Sequence, residues 1–554
     1  MLSVTPPRPP TEPPPNLVDL GWIPARDPDG TVVELGIRDV IARAHQLVGL
    51  SGDLPTQAFA LTRLLLAVLH SALRGPRDLD EWEELWEAKT LPVDRIDAYL
   101  QQHRDRFALF GPTPFMQVAD LHTAKNETFE LSRLIADVPN GAPMFSARRG
   151  DLSLSLAEAA RWLVHAQTYD VSGIKSGAVG DERVKGGRGY PIGVGWAGQL
   201  GGVLLEGRNL RETLLLNLLP ADSDGLSRDP ETDLPSWERP PSTAAESVPG
   251  GRTPDGPVDL YTWQSRRIRL VADGYRVTRV LLCNGDKLTP QNRHVVEPLT
   301  GWRRSPAQER KPDVTGVVYM PRKHDPDRSI WRGLQSLLPA HTSSKQGAEA
   351  ADAIAPAVVE WVGQLSVRKV IPKDYAFHVR AVGIHYGSKE SVIDEVVHDS
   401  LALRALLAER GAVDEVYLVT DSVAAAEDAV RAVGNLAADL VAAAGGDGAG
   451  LRSRTMEAAH ADLDPRFRRW LLTVEPGADR IERQVDWHRT VGSVVVAAAR
   501  ALLTDLPPAA WAVRSVRGRP LTAAHADAEF RRALRKAVPH AFEDRSDHRP
   551  DSAA

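Results

Sequence analysis

A single cysteine, Cys283, serves a chain of 554 residues. That excludes an intramolecular disulfide framework and any cysteine-rich zinc or iron–sulfur site, and it suits a reducing cytosol. No stretch approaches eighteen consecutive uncharged apolar residues, so no membrane span and a cytoplasmic location are expected. The start, Met1-Leu-Ser-Val followed by Pro6-Pro-Arg-Pro-Pro, lacks the apolar core of a signal peptide. Charge of one sign is also lacking. With 67 Lys+Arg against 73 Asp+Glu the net charge is -6, which argues against a surface coated all over in nucleic acid. It leaves room for a local basic groove, because the field that matters is local. Common catalytic signatures are missing as well: no G-x-x-x-x-G-K-[ST] loop, no H-E-x-x-H and no G-x-S-x-G.

What is present suffices for a sizeable core, since 43% of residues are apolar and 25% charged. The length favours two to four domains. Residues 1–15 hold seven prolines and read as an extended tail, with a second short tail at 546–554. Folded sequence begins with a short apolar strand ending at Pro24, before a turn at Asp27-Pro28-Asp29-Gly30. Apolar residues recur at helical spacing over 56–73 and predict a buried helix. A second helix is expected over 78–88, with Asp78 as its cap. Residues 221–257 turn to Asp, Ser, Pro, Glu, Gly and Thr and read as a long surface loop or linker. Two β-rich runs flank Asp273-Gly274, a hairpin signal. From 391 the pattern becomes helical, with candidate helices at 391–410, 413–445, a broken pair across 455–504, and 522–541. The expected fold is therefore α+β: a large mixed α/β domain over 16–390, then an α-helical bundle over 391–545.

Several constellations could carry chemistry. Gly193-Val-Gly195-Trp-Ala-Gly198 matches G-x-G-x-x-G but follows a glycine-rich loop, not a predicted strand. His398-Asp399 can be read as half of a metal-dependent hydrolase site, or as a hydrogen-bonded polar pair within a bundle. Residues 171–202 interleave eleven glycines with Lys175, Arg183, Lys185 and Arg188. Such a backbone can approach a surface closely and offer N–H groups, with cations nearby for phosphate; a plain surface loop has the same composition. Residues 259–323 carry 13 Lys+Arg against 6 Asp+Glu, with Arg266, Arg267, Arg269, Arg276, Arg279, Arg303 and Arg304 interleaved by Trp263, Tyr275 and Trp302. A nucleic-acid groove and an ordinary solvated face both fit. Tyr386-Gly387-Ser388-Lys389-Glu390-Ser391 reads as a tight turn opening a helix near Val392, capped by Ser388 or Ser391.

In islands over most of its length the chain resembles the CasA family, large subunits of the type I-E CRISPR surveillance complex Cascade. Asn16-Leu17-Val18-Asp19-Leu20-Gly21-Trp22-Ile23-Pro24 is similar to the family's "WIP" opening, and Pro114-Phe115-Met116-Gln117 to its "PFMQ" box. The run from Gly202-Val203-Leu204-Leu205-Glu206-Gly207-Arg208 to Asn217-Leu218 is similar to a third element; Trp302-Arg303-Arg304-Ser305-Pro306 and Val397-His398-Asp399 match less closely. The resemblance implies a mixed α/β domain, a C-terminal four-helix bundle, and a role without catalysis or cofactor. It implies binding of double-stranded DNA at the protospacer-adjacent motif from the minor groove, and help in opening the duplex for guide RNA. It further implies contacts with other Cascade subunits and a platform for the system's helicase-nuclease. Carried over by position, the family's glycine loop falls on Gly186-Gly187-Arg188-Gly189-Tyr190, with Gly186, Gly187, Arg188 and Gly189 as its motif-contacting residues. Its wedge falls on Ser388, Lys389 and Glu390. Its minor-groove finger falls among Gln291, Asn292 and Arg293, with Arg293 favoured on charge and Asn292 beside it. Its guide-RNA loop falls on 139–149, with Phe145, Arg148 and Arg149. The zinc site of some relatives is not expected with Cys283 alone.

Overall fold

The computed structural model describes residues 15–136, 152–342, 351–504, 506–516 and 518–542. Both expected tails, residue 15 aside, lie outside the described residues. Two compact units emerge. One comprises Met1–Asp327, Ser344–Val362 and Phe377–Ser400; the other Arg328–Ser343, Gly363–Ala376 and Leu401–Ala554. The α+β class is as expected, with sheets in the first unit and a helical C-terminal region in the second. The division is not the single cut at 390/391 that helical patterning suggested, because the second unit takes two earlier segments and residues 391–400 stay with the first.

In the first unit the helix Pro55–Leu73 is buried on every face. Proline fits the first turn, where its missing N–H would have no partner, and Arg74 in the left-handed region (φ 45°) ends the helix. By length and composition this helix would pass for a membrane span, yet the fold covers it from end to end. Its one charge, Arg63, is matched inside: both terminal nitrogens donate to the Glu297 carboxylate at 2.9 Å. Glu297 also accepts from Trp196 Nε1 at 2.6 Å. Burial opposes the guanidinium charge, but Glu297 outweighs it and holds Arg63 above its ordinary value.

The expected short helix is Leu79–Glu87, with Asp78 accepting from the Glu81 amide. The expected hairpin is Arg266–Asp273 with Arg276–Asn284, turning at Gly274 (φ 58°). The latter strand also pairs with Leu154–Ser155 and Lys175–Ser176, and Lys175–Ser176 pairs with Arg188–Gly189. A separate three-stranded sheet has the order Ile393–Arg404, Ala376–Tyr386, Gly202–Glu206. Between Leu216 and Pro257 there is no helix or strand, as expected, but the segment is fastened and is no linker. Trp237 is buried there and donates to Tyr99 Oη at 2.6 Å, and the Asp233 carboxylate accepts from the Val258 and Asp259 amides.

In the second unit four helices, Val413–Ala443, Ala449–Leu471, Arg480–Thr504 and Ala523–Ala537, form the bundle, with the first packed against the other three. Trp331, Phe467, Trp470 and Trp487 form its aromatic centre, Trp331 and Phe467 stacking at 4.6 Å. The helix expected at 391–410 does not form. That stretch is the strand Ile393–Arg404 followed by a 3-10 turn, Ala405–Ala408. Leu401 and Leu403 are buried while Ala402 and Arg404 are less so, a period of two that Leu- and Ala-rich composition concealed.

The Arg63–Glu297 pair yields a stability test. Glu297→Gln leaves a buried cation without its partner and should cost about 3–5 kcal/mol in thermal or denaturant unfolding. Arg63→Met added to that variant should recover part of the loss; no recovery would contradict the pairing account.

Candidate functional site

The glycine-rich segment folds as a small hairpin. Lys185 and Arg188 exchange backbone hydrogen bonds at 3.0 and 3.1 Å across Gly186 and Gly187. Both central residues have positive φ, 58° and 73°, which a two-residue turn of this twist requires and side-chain-bearing residues resist. A Cβ at either would meet nothing within 4 Å, so the tip is bare backbone in open space. Lys185 and Arg188 are exposed and make no ion pair among the described residues. Gly189, by contrast, is buried: its Cβ would lie 2.9 Å from Asn284 Nδ2.

The base of this hairpin is clamped by buried charge. Asp170 pairs with Lys175 at 2.6 Å and with Arg266. Arg266 also donates to the carbonyls of Val171 at 3.0 Å and Gly193 at 2.8 Å, gathering both ends of the segment on one guanidinium. Burial alone would raise the Asp170 carboxyl; the two cations outweigh it and hold it below the ordinary value. Burial likewise lowers Lys175, against the pull of Asp170.

The Ser388–Glu390 turn rests on the same base. The Ser172 amide donates to the Glu390 carbonyl at 2.8 Å, and Tyr386 Oη to the Tyr169 carbonyl at 2.7 Å. Gly198 lies against the Tyr386 ring, where a Cβ would come within 2.3 Å of the hydroxyl. A cleft of about 60 Å³ is lined by 132–136, 169–171 and 391–393. Instead of opening a helix, residues 387–392 join two strands, with Gly387 donating to the Val392 carbonyl at 3.0 Å. Lys389 (φ 56°) and Glu390 (φ 54°) both sit in the left-handed region, strain that persists where the surroundings over-determine it. Ser391 Oγ bonds the Ser388 carbonyl at 2.9 Å, and Lys323 lies 3.8 Å from the Glu390 carboxylate. The Lys389 side chain is exposed, without an ion pair among the described residues.

Asn292 is an exposed corner (φ 54°) pinned to Tyr319 by two hydrogen bonds, at 2.9 and 2.7 Å. Arg293 is half-buried, donating Nε to the Thr289 carbonyl at 3.2 Å, and burial lowers it. The strand Tyr319–Pro321 that holds Asn292 leads directly to Lys323 beside Glu390. Phe145, Arg148 and Arg149 lie outside the described residues.

The basic stretch 259–323 reads differently in three dimensions. Arg266 and Arg267 are buried, neutralised by Asp170 and Asp286, and Trp263 and Trp302 are core residues. Arg304 pairs with Glu309, while Arg276 and Arg279 tie down Ser153 and Thr128. Composition counts charges without their partners, so much of the apparent basic surface is internal structure. The G-x-G-x-x-G match has no strand-to-helix context; Trp196–Gln199 is a 3-10 turn, and Gly195 packs on Thr168 with a Cβ distance of 2.5 Å. His398 and Asp399 lie on a strand, not in a helical bundle, where neighbours alternate faces. Among the described residues no group of three or more His, Cys, Asp or Glu could hold a metal ion. The boxes Pro114-Phe115-Met116-Gln117 and 207–218 are structural: Gln117 bridges the Leu109 carbonyl and the Leu270 amide, and Asn217 bonds both backbone groups of Leu205.

Residues 16–498 match the family model described as CRISPR-associated protein Cse1. A curated relative, CRISPR-associated protein CasA/Cse1 of Thermus thermophilus, is 34% identical over 335 residues, 58% of this chain and 60% of its own length. The match thus spans less than two thirds of that relative. The crystal structure of Thermobifida fusca Cse1 has a TM-score of 0.88 at 48% identity, covering 96% of this chain and 99% of that one. Cse1 from Acidimicrobium ferrooxidans gives 0.81 at 32% identity, covering 95% and 99%.

A neighbour of the clamp gives a pH test. His165 stacks on Tyr169 at 5.2 Å and lies 2.9 Å from Thr56 Oγ1. Burial pushes its imidazole down to about 3, against the pull of Asp170. With an unfolded value of ~6.5, the stability of the neutral ring is complete above that pH and is lost as pH falls towards the folded value, by about 2 kcal/mol at pH ~5. His165→Gln should therefore lose less thermal stability between pH ~7 and ~5 than the parent chain. Equal losses would contradict this.

Proposed function

The chain belongs to the Cse1 family of CRISPR-associated proteins, and we propose that it is the large, non-catalytic subunit of a type I-E Cascade complex in the cytoplasm. In this reading it recognises the protospacer-adjacent motif in double-stranded DNA and helps open the duplex so that guide RNA can pair. It contacts other Cascade subunits and offers a platform to the helicase-nuclease of the system.

The observation that carries the reading is the bare Gly186-Gly187 tip, flanked by Lys185 and Arg188, sharing its base with the strained Lys389–Glu390 turn. A minor groove about 6 Å wide admits a backbone without side chains more readily than a bulky one. Base edges there present a degenerate pattern, which suits tolerance for several motif sequences. The flanking cations suit phosphates on either side. Lys389 and Glu390 would then enter below the motif: the lysine is exposed and available to phosphate, and Glu390 is held back by Lys323 and Ser172. Asn292 is the more accessible of the two finger candidates, with Arg293 drawn in beside it. Phe145, Arg148 and Arg149 remain the residues proposed for the guide-RNA end.

Gly186→Asn tests this without breaking the turn, because asparagine tolerates positive φ and Asn-Gly is a favoured sequence for it. In a reconstituted complex the variant should keep its thermal stability but lose motif-dependent duplex binding by about tenfold or more, equivalent to about 1.4 kcal/mol. Lys389→Ala with Glu390→Ala should leave that first binding nearly intact and slow strand opening. Unchanged binding by Gly186→Asn would refute the groove reading, leaving a scaffold whose hairpin touches only protein.

A further inference from the structure

The two faces of the glycine hairpin differ sharply. Its register pairs Lys175 with Gly189 and Ser176 with Arg188. Lys175 and Gly189 face inward, to Asp170 and Asn284. Side chains alternate along a strand, so Ser176 and Arg188 face outward. The strands end at Lys175 and Gly189; the same alternation carried one residue further would put the flanking Ile174 and Tyr190 on that outer face. Both are strongly exposed, Ile174 at 57% and Tyr190 at 53%. The Tyr190 hydroxyl makes no hydrogen bond among the described residues, while its carbonyl is held by Asn284 Nδ2 at 2.6 Å. A fixed backbone thus presents a solvent-facing ring. Arg133 reaches the same face, 3.4 Å from Ser176 Oγ, with its guanidinium 3.6 Å from the centre of the Phe129 ring. Neither Arg133 nor Arg188 forms an ion pair with a carboxylate among the described residues.

We propose that this outer face is a stacking platform for one unpaired nucleobase, with Tyr190 and Ile174 under the base and Arg188 and Arg133 on the adjoining phosphates. The proposal rests on the reading of the hairpin as a nucleic-acid element. Three arguments favour a base over a protein partner. An aromatic ring edged by two arginines that form no ion pair among the described residues, with Glu127 and Glu130 only in the wider surroundings of Arg133, fits a flat apolar face on an anionic strand. Two side chains offer the area of a base, far short of the roughly 800 Å² per partner that a stable protein interface buries. The neighbouring tip has no side chain to contribute apolar area. Bases in an intact duplex already stack on each other, so the platform acts only once strands have parted. It holds the opened state, a task separate from reading the motif.

The test uses the reconstituted complex and two DNA probes: an intact duplex bearing the motif, and the same duplex with a mismatched bubble beside it carrying 2-aminopurine. Tyr190→Ala should bind the intact duplex within about twofold of the parent, yet bind the bubble about fivefold or more weaker, as loss of one base–aromatic stack implies. The 2-aminopurine fluorescence, quenched by stacking, should rise. Tyr190→Phe should behave as the parent. Equal bubble affinity for Tyr190→Ala and parent would overturn the platform, and so would a variant that fails to join the complex, which would mark a subunit contact. Gly186→Asn separates the two readings. If it abolishes duplex binding while Tyr190→Ala does nothing, only the platform falls. If neither variant has an effect, the hairpin does not meet nucleic acid and both fall.

Discussion

The ionised Asp170 carboxylate, buried between Lys175 and Arg266, is the constraint on which the rest of the site depends. Isolated, a carboxylate at that depth would take up a proton; two cations keep it charged, and each cation in turn needs it. Because Arg266 also collects the carbonyls of Val171 and Gly193, one charged cluster closes a loop of more than twenty residues. A tip made only of glycine can then be exposed and still hold its place, since its order comes from the base.

The same cluster gives the 388–390 turn its footing. Residues 169 and 172 flank Asp170, and each accepts or donates a hydrogen bond to the strand-turn segment at Tyr386 or Glu390. The two elements solve opposite problems. Glycines at 186 and 187 adopt positive φ at little cost, so that turn is relaxed. Lys389 and Glu390 adopt it against their side chains, of order 1 kcal/mol each, and stay there because Ser172, Ser391 and Lys323 hold them. A bare tip that can approach closely and a strained tip that carries side chains are thus mounted side by side.

Local signals made much of the fold legible. The 3.6-residue periodicity of 56–73, the Asp78 cap, the Asp273-Gly274 turn and the bundle helices beyond 413 follow from chemistry within a few residues of each feature. The strand Ile393–Arg404 did not, because its pairing partner Ala376–Tyr386 decides its conformation and leucine and alanine alone do not. Arg266 shows the same limit at the site: its run of arginines reads as surface, and only the distant Asp170 reveals it as a buried clamp. Tyr190 closes the glycine loop by resemblance, but its outward-facing ring is not legible there, because exposure and face are properties of the hairpin register. The boxes that carried the family resemblance, at 114–117 and 207–218, belong to the core. Resemblance therefore located the fold securely, while the exposed turns have to be argued from geometry.

Hydrogen–deuterium exchange of Asp170→Asn tests the shared mount most directly. Loss of the carboxylate charge leaves Lys175 and Arg266 buried without their partner, so amides at 171–193 and at 387–392 should exchange faster together. The bundle helix Val413–Ala443 serves as internal reference and should stay as in the parent chain. Faster exchange confined to 171–193, with 387–392 unchanged, would contradict the claim that one charged cluster holds both elements.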